Sequence, residues 1–115
     1  MHEGGHRVPC IARWPGRIAA GSETDAATMT MDLLPTYLDL LGIAPPPQGD
    51  PQALDGVSLA PLVLRGEAPA DRTLFWRTGD FKAVRRGPWK LVIEHGDTAE
   101  LYRLCLLYTS DAADE

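Results

Sequence analysis

The side chains best suited to chemistry lie close together at the amino end: His2, Glu3, His6 and Cys10. His2, His6 and Cys10 stand four residues apart, a spacing that on a helix would put three metal-binding groups on one face. Gly4-Gly5 and Pro9 forbid that helix. In extended chain the same spacing separates neighbours by roughly 13 Å, too far for one ion. Glu3 and His6 could instead form an acid–base pair, although a carboxylate and an imidazole beside a Gly-Gly turn more often satisfy local hydrogen bonds. Further along, Lys82, Arg85 and Arg86 could meet an anion, but cations near a hairpin turn usually face water. There is no Gly-rich phosphate loop, no nucleophile elbow and no cluster of metal-binding carboxylates. The residues by themselves do not make an enzyme.

The elements that would position these groups are short. Gly4-Gly5 supplies a turn or a site-edge loop, and the apolar run Val8 to Ala12, bounded by Trp14-Pro15-Gly16, reads as a buried strand of a parallel sheet. Ile18 to Thr28 is a polar loop. Met29, Leu33, Leu34, Tyr37, Leu38 and Leu41 then recur at helical spacing. Asp32 is a good N-cap for that helix, Pro35 falls at its third position where no N–H is needed, and Gly42 closes it. Pro45-Pro46-Pro47 begins a stiff loop that joins neither helix nor central strand. Asp55-Gly56 is a turn, after which Leu59, Leu62 and Val63 mark a second helix of about two turns ending near Gly66.

From Thr73 the pattern changes to strands: Leu74-Phe75-Trp76, Phe81 to Arg85, Trp89 to Glu94 and Leu101 to Leu104, with Arg86-Gly87 predicting a hairpin. The organisation expected is residues 1–44 as the end of a larger sheet region with its covering helix, 45–54 as a Pro-rich loop, and 55–104 as an antiparallel subdomain.

Composition narrows the classes. A chain of 115 residues holds one modest domain, its 44% hydrophobic and 23% charged content is ordinary globular usage, and its 10 prolines and 11 glycines mean many turns. The formal net charge of −5 gives no electrostatic footprint for nucleic acid. No apolar run approaches the roughly 20 residues needed to span a bilayer, and no secretory signal pattern opens the chain. Two cysteines, Cys10 and Cys105, imply neither a disulfide scaffold nor a zinc site.

Several motifs, taken in order, carry more information than any of them alone. Glu3-Gly4-Gly5-His6-Arg7-Val8-Pro9, Arg13-Trp14-Pro15-Gly16, Met31-Asp32-Leu33-Leu34-Pro35-Thr36 and Leu38-Asp39-Leu40-Leu41-Gly42 are followed by Asp55-Gly56-Val57-Ser58-Leu59 with Pro61-Leu62. Ala83-Val84-Arg85, Trp89-Lys90-Leu91 and Glu100-Leu101-Tyr102 complete the series. From residue 3 to about 104 the chain closely resembles the C-terminal part of the sulfatase family. Two departures are Cys10, where an aromatic or aliphatic residue is commoner, and Arg103, where an acid is usual. The final stretch, Cys105 to Glu115, resembles instead the translated read-through of a transposase sequencing adapter, and as a non-native tail it stands outside fold reasoning. Removing the three negative charges of Asp111, Asp114 and Glu115 from −5 leaves −2.

The resemblance implies the α/β, alkaline-phosphatase-like fold with a small C-terminal antiparallel sheet and short helices. It implies a parent enzyme hydrolysing sulfate esters, periplasmic or secreted, in which an oxidised cysteine or serine, formylglycine, supplies the attacking oxygen and calcium holds the sulfate. In the family those groups and a catalytic lysine lie upstream of the Glu-Gly-Gly segment, so the missing N-terminal catalytic portion would supply them and this fragment would bind neither cofactor. His6 and Arg7, with Glu3, are then candidates for the rim of the substrate pocket, in a positional role and not a catalytic one. Two alternatives remain open: a small α/β protein-interaction module anchored by Trp76, Phe81 and Trp89, and a fragment of a related phosphodiesterase or phosphatase.

Overall fold

A computed structural model describes residues 7–94 and 98–104. The chain divides into two compact units. One is Cys10–Ala70, and the other comprises, among the described residues, 7–9 together with 71–94 and 98–104.

In the first unit, Trp14-Pro15-Gly16-Arg17 is a tight turn closed by the Arg17 N–H donating to the Trp14 carbonyl at 3.0 Å. Proline at its second position and a positive φ of 77° at Gly16 are the signs of a type II turn. The Arg17 guanidinium lies 5.2 Å from the centre of the Trp14 ring. A single 3₁₀ turn at Thr30–Asp32 leads into helix α1, Leu33–Leu40, and a second helix, α2, covers Ala60–Arg65. Each helix stops at a glycine in the left-handed region, Gly42 at φ 68° and Gly66 at φ 72°, as the sequence predicts. The Glu67 carboxylate receives both a 2.7 Å and a 2.9 Å bond from the Arg65 guanidinium. That contact holds the carboxyl below its usual range and the guanidinium above its own.

The second unit is a four-stranded antiparallel sheet in sequential order: β1 Thr73–Thr78, β2 Phe81–Arg86, β3 Trp89–Ile93 and β4 Ala99–Arg103. Two-residue loops fix its first two registers, with Thr78 opposite Phe81 and Arg86 opposite Trp89. Gly87 takes φ 52° and Pro88 has its φ set negative by its ring, the sign pattern of a type II′ hairpin whose twist suits the flanking strands. Alternation along the strands sends Leu74, Ala83, Lys90 and Val92 to the buried face. Lys90 is only 2% exposed, and its ammonium lies 6.0 Å from the centre of the Trp76 ring, where the electron-rich ring face favours a cation. The four strands and the hairpin at Arg86-Gly87 agree with the sequence reading.

One expectation fails here. Val8–Ala12 is not a strand: it pairs with none of the four strands, and Val8 and Ile11 are 67% and 92% exposed. An apolar run becomes a buried strand only where ladders flank it, and the described residues offer none to it. The helix at Leu33–Leu40 forms, but its apolar stripe is not its packed side. Leu33, Leu34, Tyr37 and Leu41 are exposed, whereas Asp32, Pro35 and Thr36 are buried.

The tail Cys105–Glu115 lies outside the described residues. Before it begins, the Leu104 N–H donates to the Pro88 carbonyl at 2.8 Å and the Leu104 side chain is buried, so the sheet is closed off by Leu104. Deleting residues 105–115 should therefore leave stability within about 0.5 kcal/mol in a denaturant titration. A loss of several kcal/mol would make the tail part of the fold.

Candidate functional site

Of the sequence-predicted pocket residues, Arg7 lies in an exposed, irregular segment, and Glu3 and His6 lie outside the described residues, as do the other histidines, His2 and His95. The most highly constructed constellation among the described residues is elsewhere, on the polar side of α1. Asp32, Thr36 and Asp39 are spaced i, i+4 and i+7, which places them along one face of the helix. All three reach the same distant segment, Gly56 to Leu59.

Asp32 is fully buried. One carboxylate oxygen accepts the Met29 N–H at 2.7 Å and the other accepts the Val57 N–H at 3.0 Å. This corrects its expected role. Asp32 has helical backbone angles, φ −77° and ψ −15°, because the 3₁₀ turn already precedes it, and its side chain does not cap α1. A capping side chain needs an extended backbone to swing over the first turn, and a helical one sends the carboxylate back and sideways instead. One turn later the Thr36 hydroxyl donates to the Asp32 carbonyl at 2.6 Å and accepts the Leu59 N–H at 2.8 Å. At the far end the Ser58 hydroxyl donates to Asp39 at 2.5 Å and accepts the Ala60 N–H at 3.1 Å, serving a free donor at the start of α2.

Gly56 completes the arrangement by its lack of a side chain. A β-carbon there would stand 2.2 Å from the Met31 carbonyl oxygen and 2.6 Å from its carbon, both backbone atoms. The segment can lie this close to the helix entry only as glycine. Beside the clamp, Pro35, Asp39, Ile43, Pro45, Leu54 and Ser58 line an open concavity of about 450 Å³.

Chemically, the clamp joins structure and does not activate a nucleophile. Ser58 directs its proton at a carboxylate with no imidazole between them, and a carboxylate is too weak a base to ionise a hydroxyl by itself. Among the described residues no group of three His, Cys, Asp or Glu side chains is placed to hold a metal ion. Tyr102 donates its phenol to Glu100 on the same strand, a contact that raises its titration above the usual phenol range.

The family model described as N-sulphoglucosamine sulphohydrolase, C-terminal, matches residues 1–110. This chain belongs to that sulfatase family. The match covers both units and runs into the first part of the Cys105–Glu115 tail.

Individual sulfatases agree. N-acetylgalactosamine-6-sulfatase of Canis lupus familiaris is 44% identical over 89 residues, covering 76% of this chain and 16% of the relative. Arylsulfatase G of Homo sapiens is 38% identical over 87 residues, 72% of this chain and 16% of that protein. The arylsulfatase of Hemicentrotus pulcherrimus is 37% identical over 89 residues, 76% and 15% respectively. The chain thus spans about one sixth of the length of these relatives. Its four-stranded antiparallel sheet and short helices are those of an α/β sulfatase C-terminal region. Sequence reading missed Asp32, Thr36, Asp39 and Gly56 as one unit. The available signal was three polar residues at i, i+4 and i+7 in an otherwise apolar helix.

Proposed function

We propose that this chain is the C-terminal scaffold of an enzyme that hydrolyses sulfate esters, with the reacting groups supplied by sequence preceding Glu3. The observation that carries the reading is the family match along residues 1–110, supported by 44% identity to a sulfatase. In this reading an upstream formylglycine would supply the attacking oxygen and a calcium ion would offset the charge of the sulfate. The described residues of this chain do not fit the metal, since no group of three His, Cys, Asp or Glu side chains among them is placed to hold it. Glu3, His6 and Arg7 belong to the rim of the substrate pocket, where a cation would offset the charge of an incoming sulfate.

The uncovered stripe of α1, Leu33, Leu34, Tyr37 and Leu41, supports the same reading. A contiguous apolar helix face open to water is an interaction surface in waiting, and the catalytic portion of a sulfatase is the partner that would cover it. The clamp explains how: it holds α1 by its polar side and leaves its apolar side to the partner.

The isolated chain should show no hydrolysis of an aryl sulfate above a heat-treated control, with or without added calcium. Residues 3–104 placed in the Canis lupus familiaris sulfatase in place of its matched segment should give a working enzyme. Turnover by the isolated chain would contradict the scaffold reading, and a soluble, folded but inactive chimera would count against the shared role.

A further inference from the structure

β1 leaves one edge of the sheet open. The two-residue loop after it makes Thr78 and Phe81 a hydrogen-bonded pair. Along β1 the backbone groups of Leu74, Trp76 and Thr78 therefore turn toward β2, and those of Thr73, Phe75 and Arg77 turn outward. Among the described residues no strand pairs with that outer side. Open edges are ordinarily blunted by charge, proline or a bulge. The other edge, β4, carries both Glu100 and Arg103 in a short strand. β1, Thr-Leu-Phe-Trp-Arg-Thr, has no proline, no bulge in its pairing with β2 and no charge except Arg77. It is rich in strand-forming Thr, Phe and Trp, and Phe75 is 67% exposed.

We infer that this edge pairs with the same edge of a second copy of the chain, antiparallel about a two-fold axis at Trp76. The edge is complementary to its own reverse. With Trp76 opposite the partner's Trp76, Phe75 stands opposite the partner's Arg77 and Asp80 opposite the partner's Arg72, and symmetry repeats both pairs. Phe75 and Arg77 are also two of the residues whose backbone groups turn outward, so each pair exchanges its N–H and C=O bonds. Neighbouring registers are poorer. An axis at Arg77 stacks two arginines, and an axis at Phe75 moves Arg72 opposite the partner's Thr78 and Asp80 opposite the partner's Ala70. A two-fold contact uses both β1 edges and closes at two copies, whereas β1 laid on the partner's β4 edge would leave a free edge at each end and build an open chain. Paired six-residue strands fall below a standard interface of about 800 Å² per side, so the association is a reversible one. Nothing in this pairing depends on the sulfatase reading.

The test follows the full chain by sedimentation equilibrium over a concentration series, in which the mass should rise from 12.5 kDa toward twice that value and no further. Phe75→Pro removes an N–H that β2 does not use, at a place where an edge strand accepts proline, and should weaken association at least about tenfold. Leu101→Pro makes the same change on the open side of β4, and L34S/Y37S alters the uncovered stripe of α1; both should leave association unchanged. Circular dichroism confirms the fold of each variant. The register has its own readout. In a C10S/C105S background, F75C mixed with R77C should form a disulfide between copies under mild oxidation, and either variant alone should form far less, because only the mixed pair stands directly opposite. A monomer at every concentration, a mass climbing past two copies, or association that survives F75P would overturn the proposal. So would an equal loss in L101P or L34S/Y37S, or no excess of disulfide in the mixture. None of these outcomes bears on whether a sulfatase catalytic portion precedes the chain, so the two readings fail separately.

Discussion

Asp32→Ala should cost the Cys10–Ala70 unit about 4 kcal/mol, enough to unfold it under mild denaturant. The carboxylate is fully buried and accepts two backbone N–H groups from places 28 residues apart in the chain, Met29 and Val57. Its removal leaves both donors without their acceptor in a part-buried site, and each such loss costs about 1–3 kcal/mol. Asp32→Asn keeps one acceptor and turns an NH2 group toward the other donor, so about half the loss should remain. Urea titration gives the magnitude, and hydrogen exchange assigns the cause, because protection at Met29 and Val57 should fall first. A loss below about 1 kcal/mol for the alanine variant would mean that the carboxylate does not hold the loop.

Gly56→Ala is expected to be nearly as damaging for the opposite reason, an atom added and not removed. The new β-carbon meets backbone at 2.2 Å and 2.6 Å, and no rotamer change relieves a clash with a carbonyl. Either the helix entry or the loop must move, which would also stretch the neighbouring bond from Val57 to Asp32. Overpacking commonly costs about 1–3 kcal/mol, and a backbone clash belongs at the upper end. The measurement is a thermal melt of G56A beside G66A. Gly66 has open space around it and only the cost of its positive φ, so G66A should fall by less. Equal losses in the two variants would show that close approach at Gly56 is not what matters.

These two residues also show where sequence reading stops. The strands were legible because alternation has a period of two and the Gly79-Asp80 and Gly87-Pro88 loops leave little freedom of register. The helix ends were legible because Gly42 and Gly66 are local signals. Asp32 looked like a cap because caps are local too, yet its second partner is 25 residues away and no window around it contains that fact. The α1 stripe is a different case. Periodicity says which side of a helix is apolar, but what covers that side depends on surfaces outside the helix, and within this chain the polar side is the one engaged. Val8–Ala12 fails similarly, its strand character depending on ladders that no described residue provides. Of the pocket residues, only Arg7 is within the described structure, so the rim assignment rests on the family motif.

The central claim, that this chain is the scaffold end of a sulfatase, is tested most directly by reading the gene upstream of the codon for Met1. The account predicts an uninterrupted reading frame, of a length that brings the whole near that of the relatives, carrying a Cys-or-Ser, x, Pro, x, Arg motif and a lysine shortly before the Glu-Gly-Gly segment. An in-frame stop codon directly upstream, or a long upstream frame without that motif, would contradict it.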